Sequence, residues 1–296
     1  MRYFTKLRNG LNKSSKHAYA PDVVQGNSIP RVVHQTYFSK NLPLEIKENI
    51  DQLKIANPDW EFKLYDDADI KNYIEIHFPS LLKTYLKINP VYGAARADFF
   101  RYLLVYNEGG VYLDIKSSIS KSLNDIILQD DKYLLSHWPN DKGQDFYTAG
   151  ITKDIPHPFG EFQQWHLISV KGHPFLKAVI NNVCNNIMLY NPFIHHTGRW
   201  GVMTLTGPVA YSNAIIPILD LHQHRLVRSH NFLNLVYSIY SSNISVKHHH
   251  IYKNHYTALN ESVVKLSFHN EIAFKLLQPL KHMLVTILKK IRSLNF

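Results

Sequence analysis

Cysteine is all but missing: Cys184 is the single one in 296 residues, which excludes an internal disulfide and any cysteine-rich zinc site and suits a reducing compartment. Acidic residues are also in short supply. Asp and Glu number 23 against 33 Lys and Arg, a formal charge of +10, so the natural partners are anions: a nucleotide diphosphate, an acidic lipid surface or a nucleic acid. The positive charge is scattered and no helix-turn-helix, zinc-finger or RNA-binding pattern accompanies it, so nucleic acid is not expected as a partner. No glycine-rich phosphate loop appears. No apolar run approaches the roughly 18 to 20 residues of a spanning helix, and the basic opening MRYFTKLRNGLNKSSKH has no apolar signal core, which leads to the expectation of a cytoplasmic chain. What is abundant is core material, with 45% of residues hydrophobic.

Residues 1–28 are polar, carry Gly10, Pro21 and Gly26 and keep no period, which predicts a loosely ordered basic arm. The run IPRVVHQTYF is β-branched and predicts a buried first strand that exits through His34, Gln35 and Thr36. Apolar spacing then predicts a helix over LPLEIKENIDQLKIA and alternation a strand over WEFKLYDD. GAARADFFRYLLVYNEGG predicts a helix with Ala95, Phe99, Tyr102, Leu103 and Tyr106 on one face, stopped by Gly109-Gly110. VYLDI directly behind it and KYLLSHW read as strands; the segment from Glu161 to Tyr190 reads as a strand, a turn and a helix; TLTGPVAYSNAIIPIL reads as a loop feeding a helix. Strands and helices alternate, which predicts an α/β fold.

In such a fold, ligands gather beyond the carboxyl ends of the strands, and Asp114 stands where VYL gives way to polar residues. Asp98 and Arg101 are three apart on the preceding helix and share a face, so a carboxylate and a guanidinium reach one place, whereas Arg96 points elsewhere. Read singly, such a pair is more often a surface ion pair and such an Asp a mere strand end.

Taken together, YGAARADFFRYLLVYNEGGVYLDIK closely resembles the signature of the DXD-type glycosyltransferases of family 32: a small-residue pair, an Asp, an Arg three residues on, Gly-Gly, then aromatic-Leu-Asp-x-Asp. That family includes yeast Golgi mannosyltransferases, bacterial capsule and lipopolysaccharide sugar transferases and, more distantly, glucosylating toxins. The resemblance also takes in IPRVVHQTYF, NPDWEFKLYDD, the Gly172-His173-Pro174-Phe175 turn, Thr206-Gly207-Pro208 and His255-Tyr256. It implies a GT-A type nucleotide-diphospho-sugar transferase fold over residues 29–265, with a Rossmann-like central sheet and flanking helices. It also implies transfer, with retention of configuration, from a nucleotide-sugar donor, a UDP-sugar by expectation, to a growing cell-surface glycan such as capsule, O-antigen or lipopolysaccharide. Under it His34, Gln35 and Thr36 would hold base and ribose, and Asp98 and Arg101 the sugar hydroxyls. Ala95, Tyr112, Thr206 and Gly207 would complete the donor site. Asp114, with His255, would hold a divalent ion, Mn2+ or Mg2+, on the diphosphate.

The chain departs from the family at Lys116, which occupies the place of the second Asp. In a strand, Lys116 would point to the same side as Asp114, into the metal's position. Either the ammonium partly replaces the ion, or the ion is kept by Asp114, His255 and the phosphates with Lys116 set aside. A catalytically inactive nucleotide-sugar or glycan-binding relative is the first alternative, and a basic nucleic-acid-binding protein stands behind it. His248, His249 and His250 read as a solvated loop. Trp138, Trp165 and Trp200 are expected in the core rather than stacked on acceptor sugars.

The tail, residues 266–296, predicts an amphipathic helix with an apolar stripe from Phe274 to Leu294 and basic flanks. It suits either peripheral association with an anionic membrane or packing on the domain. On the membrane reading the acceptor would be a lipid-linked glycan at the inner face of a bacterial cytoplasmic membrane.

Overall fold

A computed structural model describes residues 18–240, 257 and 259–278. His255, the triple histidine and most of the amphipathic tail lie outside the described residues.

The chain opens with β1 (Val32–Thr36), α1 (Leu44–Ala56), β2 (Glu61–Tyr65), α2 (Asp67–His77), α3 (Pro79–Lys87) and α4 (Gly93–Glu108). It continues through β3 (Gly110–Leu113), β4 (Ser118–Ile119), α5 (Leu123–Ile126), β5 (Tyr133–Ser136), β6 (His166–Ser169) and α6 (Pro174–Met188). Then come α7 (Pro192–His195), α8 (Gly198–Leu205), α9 (Pro208–Ile215), β7 (Arg225–Val227) and β8 (Leu235–Val236). Six strands form the central sheet in the order β2-β1-β3-β6-β5-β7. β1 pairs in parallel with β2 and β3, β6 runs antiparallel between β3 and β5, and β7 lies parallel to β5. Helices cover both faces, the α/β architecture of a central sheet with flanking helices expected above.

Because both faces are covered, β1, β3, β5 and β6 are buried at every position. Val33, Val111, Leu113 and Ile168 face Leu53, Trp60 and Ile126, while the opposite face packs under α4, α6 and α9. α4 is not the one-faced helix its spacing predicted: every residue from Asp98 to Tyr106 is buried. A helix hydrophobic all round belongs in a core.

α4 turns straight into β3 through Gly109 and Gly110, whose φ values are +73° and +92°. A Cβ on Gly110 would lie 2.6 Å from the Val32 carbonyl oxygen, so the close approach of β3 to β1 depends on glycine there.

Three expectations change. The strand VYLDI stops at Leu113, and Asp114 to Ser117 form a turn closed by the Ser117 amide donating to the Asp114 carbonyl at 2.8 Å. Residues 18–28 are held against the domain: the Tyr19 and Ala20 amides donate to Asn181 Oδ1, and the Tyr106 hydroxyl donates to the Pro21 carbonyl. TLTGPVAYSNAIIPIL contains the end of α8, a kink at Thr206-Gly207, and α9. The helical run Gly198–Leu221 has the length and composition to cross a membrane. Pro208 breaks it and α9 packs on α6, so it serves as a core element.

Gly110→Ala should lower unfolding free energy in urea by about 2 kcal/mol or more, since it adds strain at a positive φ to a backbone clash.

Candidate functional site

Arg101 is the hub of the site. On buried α4 its Nη2 lies 3.3 Å from Asp98 Oδ1 and 3.0 Å from Asp114 Oδ1, and its Nη1 donates to the Gln164 carbonyl at 2.8 Å. The guanidinium also rests 4.6 Å over the Tyr112 ring. The surface ion pair that the spacing usually signifies is thus excluded, because both partners on α4 are buried. Arg96, as expected, points away, donating to the Ile88 carbonyl.

Asp98 is saturated from distant segments. Its Oδ1 accepts from Gln164 Nε2 at 3.0 Å and its Oδ2 from Thr206 Oγ1 at 3.0 Å. Burial pushes its carboxyl above the usual range, while Arg101, Gln164 and Thr206 pull it back. The Arg101 guanidinium is held above its ordinary value: burial works against its charge, and Asp114 first among its partners outweighs that. The Thr206 carbonyl accepts from the Tyr102 hydroxyl at 2.8 Å, which anchors the loop before Gly207 to α4. Side-chain exposure separates the roles: Asp98 and Arg101 show 5% and 6%, Asp114 22%. Asp114 is thus the most solvent-accessible member of the three, and Asp98 and Arg101 lie behind it.

The proposed base and ribose loop is not one cluster. His34 is fully buried, with one ring nitrogen 3.2 Å from the Gly109 carbonyl and the other 3.2 Å from the Tyr65 hydroxyl. Burial lowers it to about 4, so it is a neutral internal brace and not a donor ligand. Thr36 bonds the Tyr112 hydroxyl at 2.8 Å and so supports the Arg101 platform. Gln35 points to the other sheet face, onto a cleft lined by Lys40, Lys47, Ile50 and Lys54, with its Nε2 buried and unpartnered. Ala95 is fully buried and Tyr112 nearly so, which makes both supports rather than contacts. Gly207 caps α9, and a Cβ there would sit 2.9 Å from Met203 Cα, so its smallness serves packing.

Lys116 does not extend a strand. From the turn after Asp114 its Nζ donates to the Tyr237 hydroxyl at 2.8 Å and lies 4.0 Å from that ring's centroid. Burial lowers it to about 8, against the pull of Asp114, so it carries its charge at neutral pH. The segment after β8 clasps the turn: the Ile239 amide donates to the Lys116 carbonyl and Ser117 Oγ to the Tyr237 carbonyl. Tyr237 in turn packs edge-on against Trp138 and Trp165. Trp165 is a core residue as expected, whereas Trp138 is half-buried and Trp200 exposed.

Gln164, Tyr237 and Glu161 went unnoticed in the sequence. Glu161 accepts from Trp138 Nε1 at 2.8 Å, its Oε2 is buried without a partner, and burial raises its carboxyl to about 7 despite Trp138 and Arg199. No local pattern marks these residues.

The described residues do not fit a divalent ion. Asp114 offers one carboxylate, already paired with Arg101, and Lys116 supplies an ammonium in place of a second hard oxygen ligand two residues on. Among the described residues no group of three His, Cys, Asp or Glu converges to hold one.

A family model described as a glycosyltransferase sugar-binding region containing a DXD motif matches residues 43–133. Inositol phosphoceramide mannosyltransferase 3 of Schizosaccharomyces pombe is 26% identical over 188 residues, 64% of this chain and 45% of that protein. An initiation-specific alpha-1,6-mannosyltransferase of Candida albicans is 30% identical over 174 residues, 54% of this chain and 43% of that protein. This chain therefore spans less than half the length of both. Among solved structures, the UDP-bound glycosyltransferase domain from the YGT toxin aligns with a TM-score of 0.48 at 7% identity, covering 75% of this chain and 83% of that one.

Glu161 gives the fold a pH signature. Its folded value lies above the unfolded 4.5, so the charged form is penalised, and stability falls as pH rises from about 4.5 to about 7 and then levels. Glu161→Gln keeps an acceptor for Trp138 and removes the charge. Urea melts should show the variant gaining up to about 3 kcal/mol on wild type at pH 8, and little at pH 4.

Proposed function

Because this chain belongs to the DXD-type glycosyltransferases of family 32, we propose that it transfers a sugar from a nucleotide-diphosphate donor to a glycan or lipid-borne acceptor, with retention of configuration. The observation that carries this reading is the buried Asp98–Arg101–Asp114 relay at the carboxyl end of β3, which presents one preorganised carboxylate outward. In transfer, the bond from the anomeric carbon to the phosphate oxygen breaks with its electron pair going to the phosphate. The acceptor oxygen bonds to that carbon and its proton passes to the departing diphosphate or to water. Asp114 orients the donor, Arg101 and Asp98 hold Asp114, and Tyr112 and Thr206 hold those two. A site fixed in advance in this way lowers the barrier more than one that must reorganise.

Relatives named for mannosyl transfer put a mannose donor beside the UDP-sugars as first candidates. One of them is named for inositol phosphoceramide, which supports an acceptor at a bilayer surface. A bacterial capsule or lipopolysaccharide intermediate on the cytoplasmic side belongs to the same proposal as a second acceptor class. Residues 268–278 are helical and leave Phe268, Ile272, Leu276 and Leu277 exposed, while Phe274 is buried with its ring 5.5 Å from that of Phe193. An apolar surface on a chain of formal charge +10 supports docking on anionic lipid.

Incubation with a panel of nucleotide sugars should release one nucleotide slowly. Asp114→Ala should cut that rate about 100-fold, and Arg101→Lys about tenfold or more, since one ammonium replaces a fork that spans two carboxylates. Thermal stabilisation by a nucleotide sugar without turnover would instead mark a binding-only relative, and neither response to any donor would refute the transferase reading. Flotation with phosphatidylserine vesicles should be lost on removal of residues 266–296; retention by the truncated chain rejects the tail as the anchor.

A further inference from the structure

Lys116 is an expensive residue to place where it is. It is 5% exposed, and an ammonium taken out of water loses several kcal/mol of solvation unless its three N–H groups find partners. Among the described residues it has one hydrogen-bond acceptor, the Tyr237 hydroxyl, and one ring face, also that of Tyr237. Two donors find no acceptor among the described residues. They belong to a cation two residues beyond Asp114, the carboxylate that reaches the solvent side of the relay. A cation buried this deeply with donors to spare calls for an anionic or strongly accepting ligand in the same place.

The charge count gives the ligand's class. The family signature has a carboxylate at this position, and exchanging a carboxylate for an ammonium changes the local formal charge by two units, the same change that one divalent cation brings on binding. With Lys116 present, Asp98 and Asp114 are balanced by Arg101 and Lys116 before any ion arrives. A divalent cation entering beside Asp114 would meet two like charges and one carboxylate already engaged, whereas a diphosphate entering there meets an ammonium fixed in position. The fixing is itself structural: the Lys116 carbonyl accepts from the Ile239 amide and the ammonium is tied to Tyr237, so the charge does not have to be ordered when the ligand binds.

We propose that this site binds the diphosphate of its donor without a divalent ion, the Lys116 ammonium taking the place of that ion and Tyr237 holding it there. The inference rests on the nucleotide-sugar reading above and names what neutralises the leaving group. Lys116 keeps its proton throughout: as the phosphate oxygen takes the electron pair of the broken glycosyl bond, the ammonium faces the growing charge and no proton or electron passes to it.

Calorimetric titration of the full chain with UDP and with GDP, each in manganese buffer and in EDTA, tests this directly. The nucleotide that binds should do so with the same Kd in both buffers, within about twofold. Lys116→Met, which keeps the apolar stem, should weaken binding about 10- to 100-fold in both buffers, and Lys116→Arg should retain most of it. Lys116→Asp should restore dependence on the ion, binding at least about tenfold more tightly with manganese than with EDTA. A wild-type Kd that rises tenfold or more in EDTA overturns the proposal, and that comparison needs no variant. So does a folded Lys116→Met chain that binds as wild type. Failure of both nucleotides to bind in either buffer would sink the donor reading itself, a different result from binding that follows the metal.

Discussion

A guanidinium inside a helix that is buried all round is the constraint on which the rest of the site depends. Arg101 cannot lose its proton, so wherever α4 lies, carboxylates have to be brought to it. Asp98 arrives through the helical repeat itself. Asp114 arrives because Gly109 and Gly110 let the chain reverse within two residues and lay β3 beside β1. Gln164 and Thr206 complete the shell from segments more than sixty residues away in sequence. A buried ion network of this kind is weak evidence of stability, since apolar residues of equal volume would pack as well. Its worth lies in position: it fixes the one carboxylate that meets solvent.

Elements whose signal is local were legible in the sequence. Periodicity marked α1, β2 and α4, and the Gly109-Gly110 stop gave α4 its end. The shared face of Asp98 and Arg101 followed from spacing alone. What spacing left open was whether that face meets water, and only the packing of α6 and α8 against α4 decides this. Within β1 the alternation of a strand sets His34 and Thr36 opposite to Gln35, so the three do not line one pocket. His34 misleads for a related reason. A histidine near a strand end suggests a ligand, yet a buried strand with a polar residue demands internal partners, and Gly109 and Tyr65 supply them.

The remaining residues of the site were invisible because their meaning is long-range. Tyr237 touches Lys116 across 121 positions of sequence, and Glu161 is raised to about 7 by burial, against the hydrogen bond it accepts from Trp138. The wealth of histidine is explained in the same terms. His137, His166, His173 and His230 are all buried and all shifted down by burial, so they are neutral, compact, hydrogen-bonding core residues rather than an assembled metal site. Their neutrality also keeps the formal charge of +10 a matter of Lys and Arg.

Lys116 shows how one substitution in a signature redistributes work without dissolving the site. A metal ion is delivered from solution, exchanges, and holds a diphosphate through vacant coordination positions; an ammonium is tethered, cannot be chelated away, and offers directional N–H donors instead. The low dielectric that makes Lys116 costly to bury also strengthens its attraction for a phosphate oxygen, so the penalty and the benefit have the same origin. Tyr237 reconciles them, because its ring face and hydroxyl satisfy the cation partly while leaving donors for a ligand. The turn at Asp114–Ser117 is what makes the exchange sterically possible. A strand continuing through this position would aim a four-carbon side chain to the same side as Asp114, whereas the turn sets the Lys116 ammonium against the ring and hydroxyl of Tyr237.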